Sequence, residues 1–563
     1  MTTTRPTVRL LRTVRAVAVA LAVTGLVVIA VVAGAASPAG ATSYVPVAGE
    51  GSSWSAGALS QWIADVHADG IQINYTANGS TAGRDDFISG QTDFAASDIP
   101  FQTNPGDGSA PEHPTPGSYA YMPITSGGTV FMYNLTINGQ RVTNLRLSPV
   151  NIFKIFTGVI TNWDDPALAA DNPGLRLPNQ SIVPVVRSDG SGTSYELSAW
   201  MISQDPSLWT AYCSKTGHSQ ACGASSFYPT SGNMIAQNGD LGIASYVSQA
   251  FAAGSIGYVN YYYALTTHFP VAQVLNAAGY YTEPTPQNVA VSLLQDKVDT
   301  TDTNNPALYL TQNLTGVYTD TDPRTYPMSS YGYLILPTTV GNGFSTAKGA
   351  TLAAFSYYAM CQGQQQSAAL GYSPMPINLV QAAFAQIAKI PGANVQTINI
   401  QGCNNPTFSP SGVNTLALTA PYPPACDKQG PTQCTYGTGG AASTSTPVSA
   451  SAGGSNGAGS SSAKSAAAAA AAAGGAKSGS GSGSGSGSTV VCDPTTWACT
   501  TTSGSGDASS LDASPTAVTD TLSASGGWST TQTLLVLIAL CILALMLVPG
   551  LLSRHLERRR SSP

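Results

Sequence analysis

The amino-acid sequence predicts an α/β fold for residues 42 to about 424. Apolar, strand-like segments such as 182–186 alternate in this region with helical stretches such as 349–360, and this alternation is typical of a sheet covered by helices. The chain has 563 residues, of which 43% are hydrophobic. That fraction is ample for the core of one two-lobed domain or of two ordinary domains.

The charge balance excludes one class of partner. Charged residues make up only 9% of the chain, and the net charge is −6. A protein that wraps a nucleic-acid backbone needs a basic surface, so we exclude nucleic acid. We expect no metal or cofactor, because the five histidines are scattered and no cysteine pair has the C-x-x-C spacing of a zinc site.

The N-terminal segment predicts export. Arginines precede an apolar stretch over 16–36, and the small-x-small cleavage pattern Ala39-Gly40-Ala41 follows it. We interpret 1–41 as a signal peptide and Thr42 as the first mature residue. An uncleaved membrane anchor is the alternative, because the apolar stretch is long for a signal core.

The C-terminal end predicts attachment to the cell membrane. Residues 533–552 carry no charge and are long enough to cross a bilayer as a transmembrane helix. The basic tail that follows, 553–563, is held in the cytoplasm by the positive-inside rule. Between the globular domain (42–425) and this helix, the Gly/Ser/Ala-rich stretch 426–532 is predicted to be a disordered tether. The globular domain is therefore expected outside the cytoplasm.

Cysteine usage agrees with export. Eight cysteines fall into neighbouring pairs, and a ninth, Cys541, lies in the predicted membrane span. An even set in an exported protein suggests disulfides, although the sequence does not decide their connectivity. The expected disulfide cysteines are Cys213 and Cys222, Cys361 and Cys403, Cys426 and Cys434, and Cys492 and Cys499.

Three segments share one design, in which small or hydroxyl residues form a tight loop and then open a helix. A helix N-terminus carries unpaired backbone N–H groups and the positive end of the helix dipole, so it can hold an anion. The capping-box pattern of 193–196 predicts such a helix start. Each loop alone is more often an ordinary turn with a capping residue. The three segments are 49–54, 78–83 and 189–193.

Two charged residues narrow the type of anion. Arg187 supplies a full positive charge and a fork for two oxygens. Asp98 is unexpected near an anion, because a carboxylate only accepts hydrogen bonds. Beside the anion it favours a ligand that still carries a proton, as phosphate does near neutral pH and sulfate does not. Taken in isolation, Asp98 before Ile99-Pro100 is also typical of a turn.

With these loops in place, residues 49–379 resemble the periplasmic phosphate-binding protein family, the PstS type that serves a phosphate ABC transporter. Each motif alone is weak, but their order along the chain is specific. The landmarks are Gly49-Glu50-Gly51-Ser52-Ser53-Trp54, Asn74-Tyr75 through Gly83, Asp93 to Asp98, Asn162-Trp163-Asp164-Asp165-Pro166, 172–175, Arg187 to Thr193, 254–259 and 370–374.

The resemblance implies a two-lobed periplasmic-binding-protein-like fold of type II, with the ligand buried in the cleft between the lobes. Lobe one is expected at about 42–125 and 325–401, and lobe two at about 126–324. The resemblance also implies that Asp98 accepts the proton of the ligand and that Asp189 orients Arg187. The phosphate donors that it implies are Ser53, through its hydroxyl and backbone, Trp54, through its N–H, and Ser80, Arg187, Ser191, Gly192 and Thr193.

The chain departs from the family pattern in several places. Ser53 and Trp54 stand where Thr and Phe are usual. Extra residues lie between 100 and 123, and the cysteine-bearing segment 213–222 is also unusual. The tether 426–532 is foreign to the soluble and N-terminally lipidated members of the family.

The expected function is extracytoplasmic binding of inorganic phosphate for uptake through the permease subunits of an ABC transporter, by a monomer. Two alternatives stay open. One is a surface phosphate sensor or adhesion module that keeps the fold without transport. The other is an enzyme such as a phosphatase, which is disfavoured because the sequence has no metal cluster, no Gly-x-Ser-x-Gly elbow and no evident base beside a nucleophile.

Overall fold

The computed structural model describes residues 44–218, 222–396, 399–446, 490–492 and 499–501. Strands and helices alternate along most of these residues. The strands are β1 (Val47–Gly51), β2 (Ile73–Thr76), β3 (Phe94–Ser97), β4 (Tyr119–Tyr133), β5 (Thr136–Ile137), β6 (Gln140–Arg141), β7 (Arg146–Leu147), β8 (Val183–Arg187), β9 (Ile235–Gln237), β10 (Ser255–Asn260), β11 (Gln273–Leu275), β12 (Tyr281–Thr282), β13 (Ser329–Pro337), β14 (Val490–Cys492) and β15 (Cys499–Thr501). The α-helices are α1 (Ala56–His67), α2 (Ser80–Ser89), α3 (Pro149–Phe156), α4 (Pro166–Asp171), α5 (Gly192–Gln204), α6 (Pro206–Lys215), α7 (Gly239–Val247), α8 (Tyr261–Thr266), α9 (Pro286–Ser292), α10 (Thr315–Tyr318), α11 (Thr346–Met360), α12 (Gln364–Ser367), α13 (Ile377–Ile387) and α14 (Thr415–Leu418).

The main sheet has eight strands in the order β2-β1-β3-β13-β4-β10-β8-β9. Its centre is the antiparallel pair of β13 and the 15-residue strand β4, both fully buried. Strands β2, β1 and β3 run parallel on one side of this pair. Strand β10 follows on the other side, with β8 and β9 parallel to it. The carboxyl ends of β1 and β8 lead directly into the loops that open α1 and α5.

Two hydrophobic clusters divide the sheet and its helices into two lobes. One cluster is built from 47–124 together with 331–408, and the other from 130–328. Strand β4 contributes to both, so it connects the lobes. We call 44–126 and 329–408 lobe one, and 127–328 lobe two. The predicted α/β fold with two lobes is confirmed.

The chain after lobe one differs from the predicted tether. Residues 426–446, assigned to the tether from their composition, pack against lobe two. The buried guanidinium of Arg146 donates to the carboxylate of Asp427 at 2.9 Å, and Thr438 Oγ1 donates to the carbonyl oxygen of Thr143 at 2.9 Å. The physical reason is that hydrogen bonds and an ion pair attach this segment to lobe two, while the disulfide Cys426–Cys434 closes a loop within it, so it needs little apolar sequence. The folded part therefore includes 426–446.

Three of the four expected disulfides are present in the described chain: Cys213–Cys222, Cys361–Cys403 and Cys426–Cys434. Strands β14 and β15 pair antiparallel, with Cys492 opposite Cys499 in register. Cys541 lies outside the described residues.

The predicted membrane attachment falls on residues that the structure does not describe. The signal peptide 1–41, the transmembrane helix 533–552 and the basic tail 553–563 all lie outside the described ranges, as does most of the tether. Among the described residues, no helix combines the length and the apolar character needed to cross a membrane.

Candidate anion-binding site

The three predicted loops converge on Asp98, which follows β3. Thr193 Oγ1 donates to Asp98 Oδ2 at 3.2 Å, and Ser80 Oγ reaches the same oxygen at 3.4 Å. From the first loop, the Ser52 hydroxyl donates to Asp98 Oδ1. Helix α5 begins at Gly192, which packs so closely that a Cβ there would lie 2.7 Å from Asp98 Cβ. The helix N-termini therefore meet around one buried carboxylate.

Backbone donors remain free at this point of convergence. Within the described residues, no protein group accepts a hydrogen bond from the N–H of five residues in the three loops. Unpaired N–H groups are expected in the first turn of a helix, and these five belong to the three loops whose side chains meet at Asp98. They are Ser53, Trp54, Ser80, Gly192 and Thr193.

Arg187 ends strand β8 and is almost fully buried. Its Nε donates to Asp189 Oδ1 at 2.8 Å, and Nη2 donates to the other oxygen of the same carboxylate. Nη1 donates to Asp240 Oδ2 at 2.6 Å. Burial would lower the pKa of Arg187, but the carboxylates of Asp240 and Asp189 outweigh it and raise the pKa above its ordinary value. Arg187 therefore keeps its positive charge at any physiological pH.

Asp189 lies where an arginine-orienting residue should lie. Besides the two bonds from Arg187, its Oδ1 accepts the backbone N–H of Gly239 at 2.9 Å. Burial raises the pKa of Asp189, but the hydrogen bonds and charge of Arg187 more than offset it, and the pKa is lowered. Asp189 is thus ionised near neutral pH and fixes the plane of the guanidinium. Its orienting role stays a prediction.

The pKa of Asp98 is shifted in the opposite direction from that of Asp189. Burial raises the pKa of its carboxyl to about 6, a shift that the Ser52 hydrogen bond and the Arg187 charge reduce and that the Asp240 charge increases. The carboxylate is therefore ionised at neutral pH, but its negative charge in a buried position is unfavourable in free energy. A ligand proton donated to Asp98 would relieve part of this cost.

Three of the predicted phosphate donors, Trp54, Ser191 and Ser53, have side chains that are already hydrogen-bonded to other groups of the protein. The indole of Trp54 points away and donates to Thr129 Oγ1 at 3.1 Å, so only its backbone N–H can face an anion. Ser191 caps helix α5, since its Oγ accepts the N–H of Ser194 at 3.2 Å, while its hydroxyl proton stays available. Ser53 Oγ donates to Asp240 Oδ2 at 2.5 Å.

Sequence reasoning missed Asp240 and Ser52. Asp240 lies in the first turn of α7, behind Gly239, which has a φ of 66°. This glycine-then-helix pattern is the signal that marked the other three loops, and it could have identified Asp240. Ser52 lies inside the first loop, but the family resemblance assigned the phosphate contact to its neighbour Ser53.

The two lobes are in contact across the site. Besides the Thr193 and Ser53 hydrogen bonds, the N–H of Thr81 donates to the carbonyl of Gly190 at 3.0 Å. The Tyr263 hydroxyl, from lobe two, donates to the carbonyl of Ser53 at 2.7 Å. The site residues are therefore buried between the lobes.

Comparison with known proteins finds one matching family model, several relatives of similar sequence and solved structures of similar fold. The model of the PBP superfamily domain matches residues 36–362. The phosphate-binding protein PstS of Xylella fastidiosa is 31% identical over 343 residues, which are 60% of this chain and 84% of that protein. The PstS of Pasteurella multocida is 29% identical over 354 residues, 61% of this chain and 90% of that protein. A solved phosphate-binding protein from Stenotrophomonas maltophilia is 20% identical, with 64% of this chain and 97% of that chain covered and a TM-score of 0.44.

Proposed function

The chain belongs to the PBP superfamily, and on this basis we propose that it binds inorganic phosphate outside the cytoplasm for uptake through an ABC transporter. The observation that carries the proposal is the pairing of one buried cation with one buried proton acceptor. Arg187 and the free N–H groups provide donors for phosphate oxygens, and Asp98 provides an acceptor for a phosphate hydroxyl. The PstS relatives support the same ligand.

The proposed ligand contacts come from backbone N–H groups and from Arg187. The N–H groups of Trp54, Ser80, Gly192 and Thr193 lie at helix N-termini and suit an oxyanion. The guanidinium of Arg187 has five N–H groups, of which three are donated to carboxylates. The remaining two are available for phosphate oxygens. Sulfate lacks a proton near neutral pH, so it would place a bare oxygen against Asp98.

The position of the protein in the cell is also part of the proposal. A signal peptide at 1–41 would direct export, and a helix at 533–552 followed by the basic tail would hold the chain in the membrane. The low-complexity stretch after Thr446 would then act as a tether for a monomeric binding domain. The permease subunits of an ABC transporter are the proposed partners.

Transport distinguishes this proposal from a sensor or adhesion module that uses the same fold. Deletion of the gene should reduce phosphate uptake by starved cells, and unchanged uptake would favour the sensor. We propose no catalytic activity, and release of phosphate from a chromogenic ester by the purified chain would contradict that.

Calorimetry on the purified full-length chain in detergent tests the binding itself. We expect saturable phosphate binding at pH 7 and no comparable sulfate binding. Equal affinity for the two anions would contradict the role given to Asp98. No binding of phosphate at any pH would contradict the proposed function as a whole.

A further inference from the structure

Asp240 is a second carboxylate at the heart of the site. It is fully buried, and its Oδ2 accepts hydrogen bonds from Ser53 Oγ at 2.5 Å and from Arg187 Nη1 at 2.6 Å. Its Oδ1 accepts the N–H of Asn260 at 2.7 Å, and its own N–H donates to Ser53 Oγ at 3.0 Å. One carboxylate oxygen thus joins two of the proposed phosphate donors, one from each lobe.

The position of Asp240 changes the net charge of the groups that would surround a bound anion. One guanidinium faces three carboxylates, those of Asp98, Asp189 and Asp240, so the ionised cluster carries more negative than positive charge. Asp189 accepts its hydrogen bonds from Arg187 and Gly239, both in lobe two, whereas Asp240 also accepts one from Ser53 of lobe one. Asp98 and Asp240 are the two carboxylates that lie among the proposed donors from both lobes. A dianion would be repelled there, whereas a ligand with hydroxyl groups could donate to these carboxylates.

The number of acceptors matches one protonation state of phosphate. Dihydrogen phosphate carries one negative charge and two hydroxyl groups, whereas hydrogen phosphate carries two charges and one hydroxyl group. With the monoanion, Asp98 and Asp240 can each accept a hydroxyl proton. With the dianion, one of the two carboxylates must face a bare phosphate oxygen, a like-charge contact in a buried site.

We propose that Asp240 is a specificity-determining residue that, together with Asp98, makes the site select dihydrogen phosphate over the hydrogen phosphate dianion. This inference rests on the proposed function. Asp240 also holds Ser53 of lobe one against lobe two, so selection and closure use the same side chain.

The other ionisable groups around Asp240 do not titrate in the pH range that matters. Tyr258, Tyr263 and Tyr372 surround the site, and burial raises their pKa values above the ordinary value for tyrosine. The pKa of Arg187 is raised and that of Asp189 is lowered. The pKa of Asp98, about 6, lies below neutral pH. Glu196 in α5 is the exception, because burial and the charge of Asp98 raise the pKa of its carboxyl to about 8. Between pH 7 and 8.5, the ligand and Glu196 are therefore the groups that lose a proton. The same measurements in Glu196→Gln isolate the proton of the ligand.

The test compares the wild type with Asp240→Asn by calorimetry at pH 7 and at pH 8.5. The wild-type dissociation constant for phosphate should rise about tenfold or more between these pH values, because the dihydrogen form becomes scarce. In Asp240→Asn, an amide replaces a charge, so the dianion is tolerated and the rise should shrink to about threefold or less. Asp322→Asn, which removes a partly exposed carboxylate paired with Arg324, should keep the wild-type pH dependence.

Proton uptake gives a readout that does not depend on the variant folding. Binding is measured at pH 8.5 in two buffers with different ionisation enthalpies. The wild type should take up about one proton per phosphate bound, since the dianion must become the monoanion. No uptake by the wild type, or an unchanged pH dependence in a folded Asp240→Asn, would overturn the inference while leaving phosphate binding intact. Absence of wild-type binding at both pH values would instead contradict the proposed function.

Discussion

The two lobes contact each other in two regions, which are built from different parts of the sequence. The first is the anion site, where Thr193 and Asp98 join the lobes. The second is a rim contact, where the N–H of Gly223 in lobe two donates to the carbonyl of Gly106 in lobe one at 2.8 Å. Next to it, Ser225 Oγ donates to Asp107 Oδ2 at 2.6 Å.

The anion site is built from the motifs that carry the family resemblance, whereas the rim contact lies at two places where the sequence was expected to depart from the family. Gly106 and Asp107 belong to the stretch 100–123, and Gly223 and Ser225 directly follow the segment 213–222. In the structure they form one contact across the cleft. The lobes are therefore joined both by residues of the anion site itself and by a contact that includes none of the proposed phosphate donors, and substitutions can test the two contacts one at a time.

The largest effect is expected for Arg187→Ala. The substitution removes the cation bonded to Asp189 and Asp240 and leaves these two buried carboxylates without an ion-pair partner among the described residues. Phosphate binding should be lost, and the free energy of unfolding should fall by about 3–5 kcal/mol. Calorimetry and denaturant unfolding measure both.

The matched control for this prediction is Arg324→Ala. Arg324 pairs with Asp322 through the same bidentate fork, but both side chains are partly exposed. Arg324 also donates to the carbonyl oxygens of Ala417 and Ala420, so its loss should cost about 1–2 kcal/mol, less than the loss of Arg187, and leave phosphate binding unchanged. Equal effects of the two substitutions would contradict the assignment of Arg187 to the ligand.

The second largest effect is expected for Asp98→Asn. Loss of an acceptor for the phosphate proton should weaken binding by about 1.5–3 kcal/mol and raise the relative affinity for sulfate. Titration calorimetry with both anions at pH 7 measures the ratio. An unchanged preference for phosphate would show that Asp98 does not select the ligand.

Asp98 also predicts a pH dependence of stability without phosphate. The pKa of its carboxyl is about 6 in the folded protein and 3.8 ordinarily, so the folded state holds the proton more tightly. Stability should therefore fall as the pH rises from about 4 to 6. Thermal unfolding of the wild type should show this loss, and the Asp98→Asn variant should show less of it.

A smaller effect is expected at the rim. A Cβ added at Gly223 would lie 2.5 Å from the carbonyl carbon of Gly106, so Gly223→Ala should disturb the contact at a cost of about 1–3 kcal/mol. Because the closed state is weakened and the donors are untouched, phosphate should dissociate faster, with the same preference over sulfate. Stopped-flow release measures the rate.

The control for the rim is Gly402→Ala, where the nearest atom to an added Cβ is 3.6 Å away. It should release phosphate at the wild-type rate. If Gly223→Ala also releases phosphate at the wild-type rate, the rim contact has no part in closure.

The smallest effect on binding is expected for the double substitution Cys426→Ser and Cys434→Ser. This disulfide closes a short loop in the segment that packs on lobe two, so its loss should lower the free energy of unfolding by about 2–3 kcal/mol. Phosphate affinity should stay within twofold, since no residue of the anion site belongs to this segment. A large loss of affinity would link the C-terminal segment to the cleft.

Local sequence patterns predicted much of the site and little of its long-range pairing. Ser80, Asp98 and Thr193 were identifiable because each belongs to a short loop that opens a helix or ends a strand. Asp240 pairs with Ser53 across 187 positions of the chain, and no local pattern shows which carboxylate will reach a given hydroxyl. The contact of Gly106 with Gly223 was missed for the same reason.

The end of the folded region was misplaced for a different physical reason. Hydrophobic composition falls after Thr435, which suggested a tether starting near residue 426. The segment is instead attached by hydrogen bonds such as that of Asn144 Nδ2 to the carbonyl of Cys434, at 2.6 Å. A segment that is attached by polar contacts shows no hydrophobic periodicity in its sequence.

A crystal structure of the full-length chain grown with phosphate would show directly whether the anion binds between the lobes. We expect one phosphate buried there, with oxygens within hydrogen-bond distance of Arg187 and of the N–H groups of Ser80 and Thr193, and with Asp98 in contact with a phosphate hydroxyl. An anion site that stays empty at saturating phosphate, or phosphate bound only outside the cleft, would contradict it.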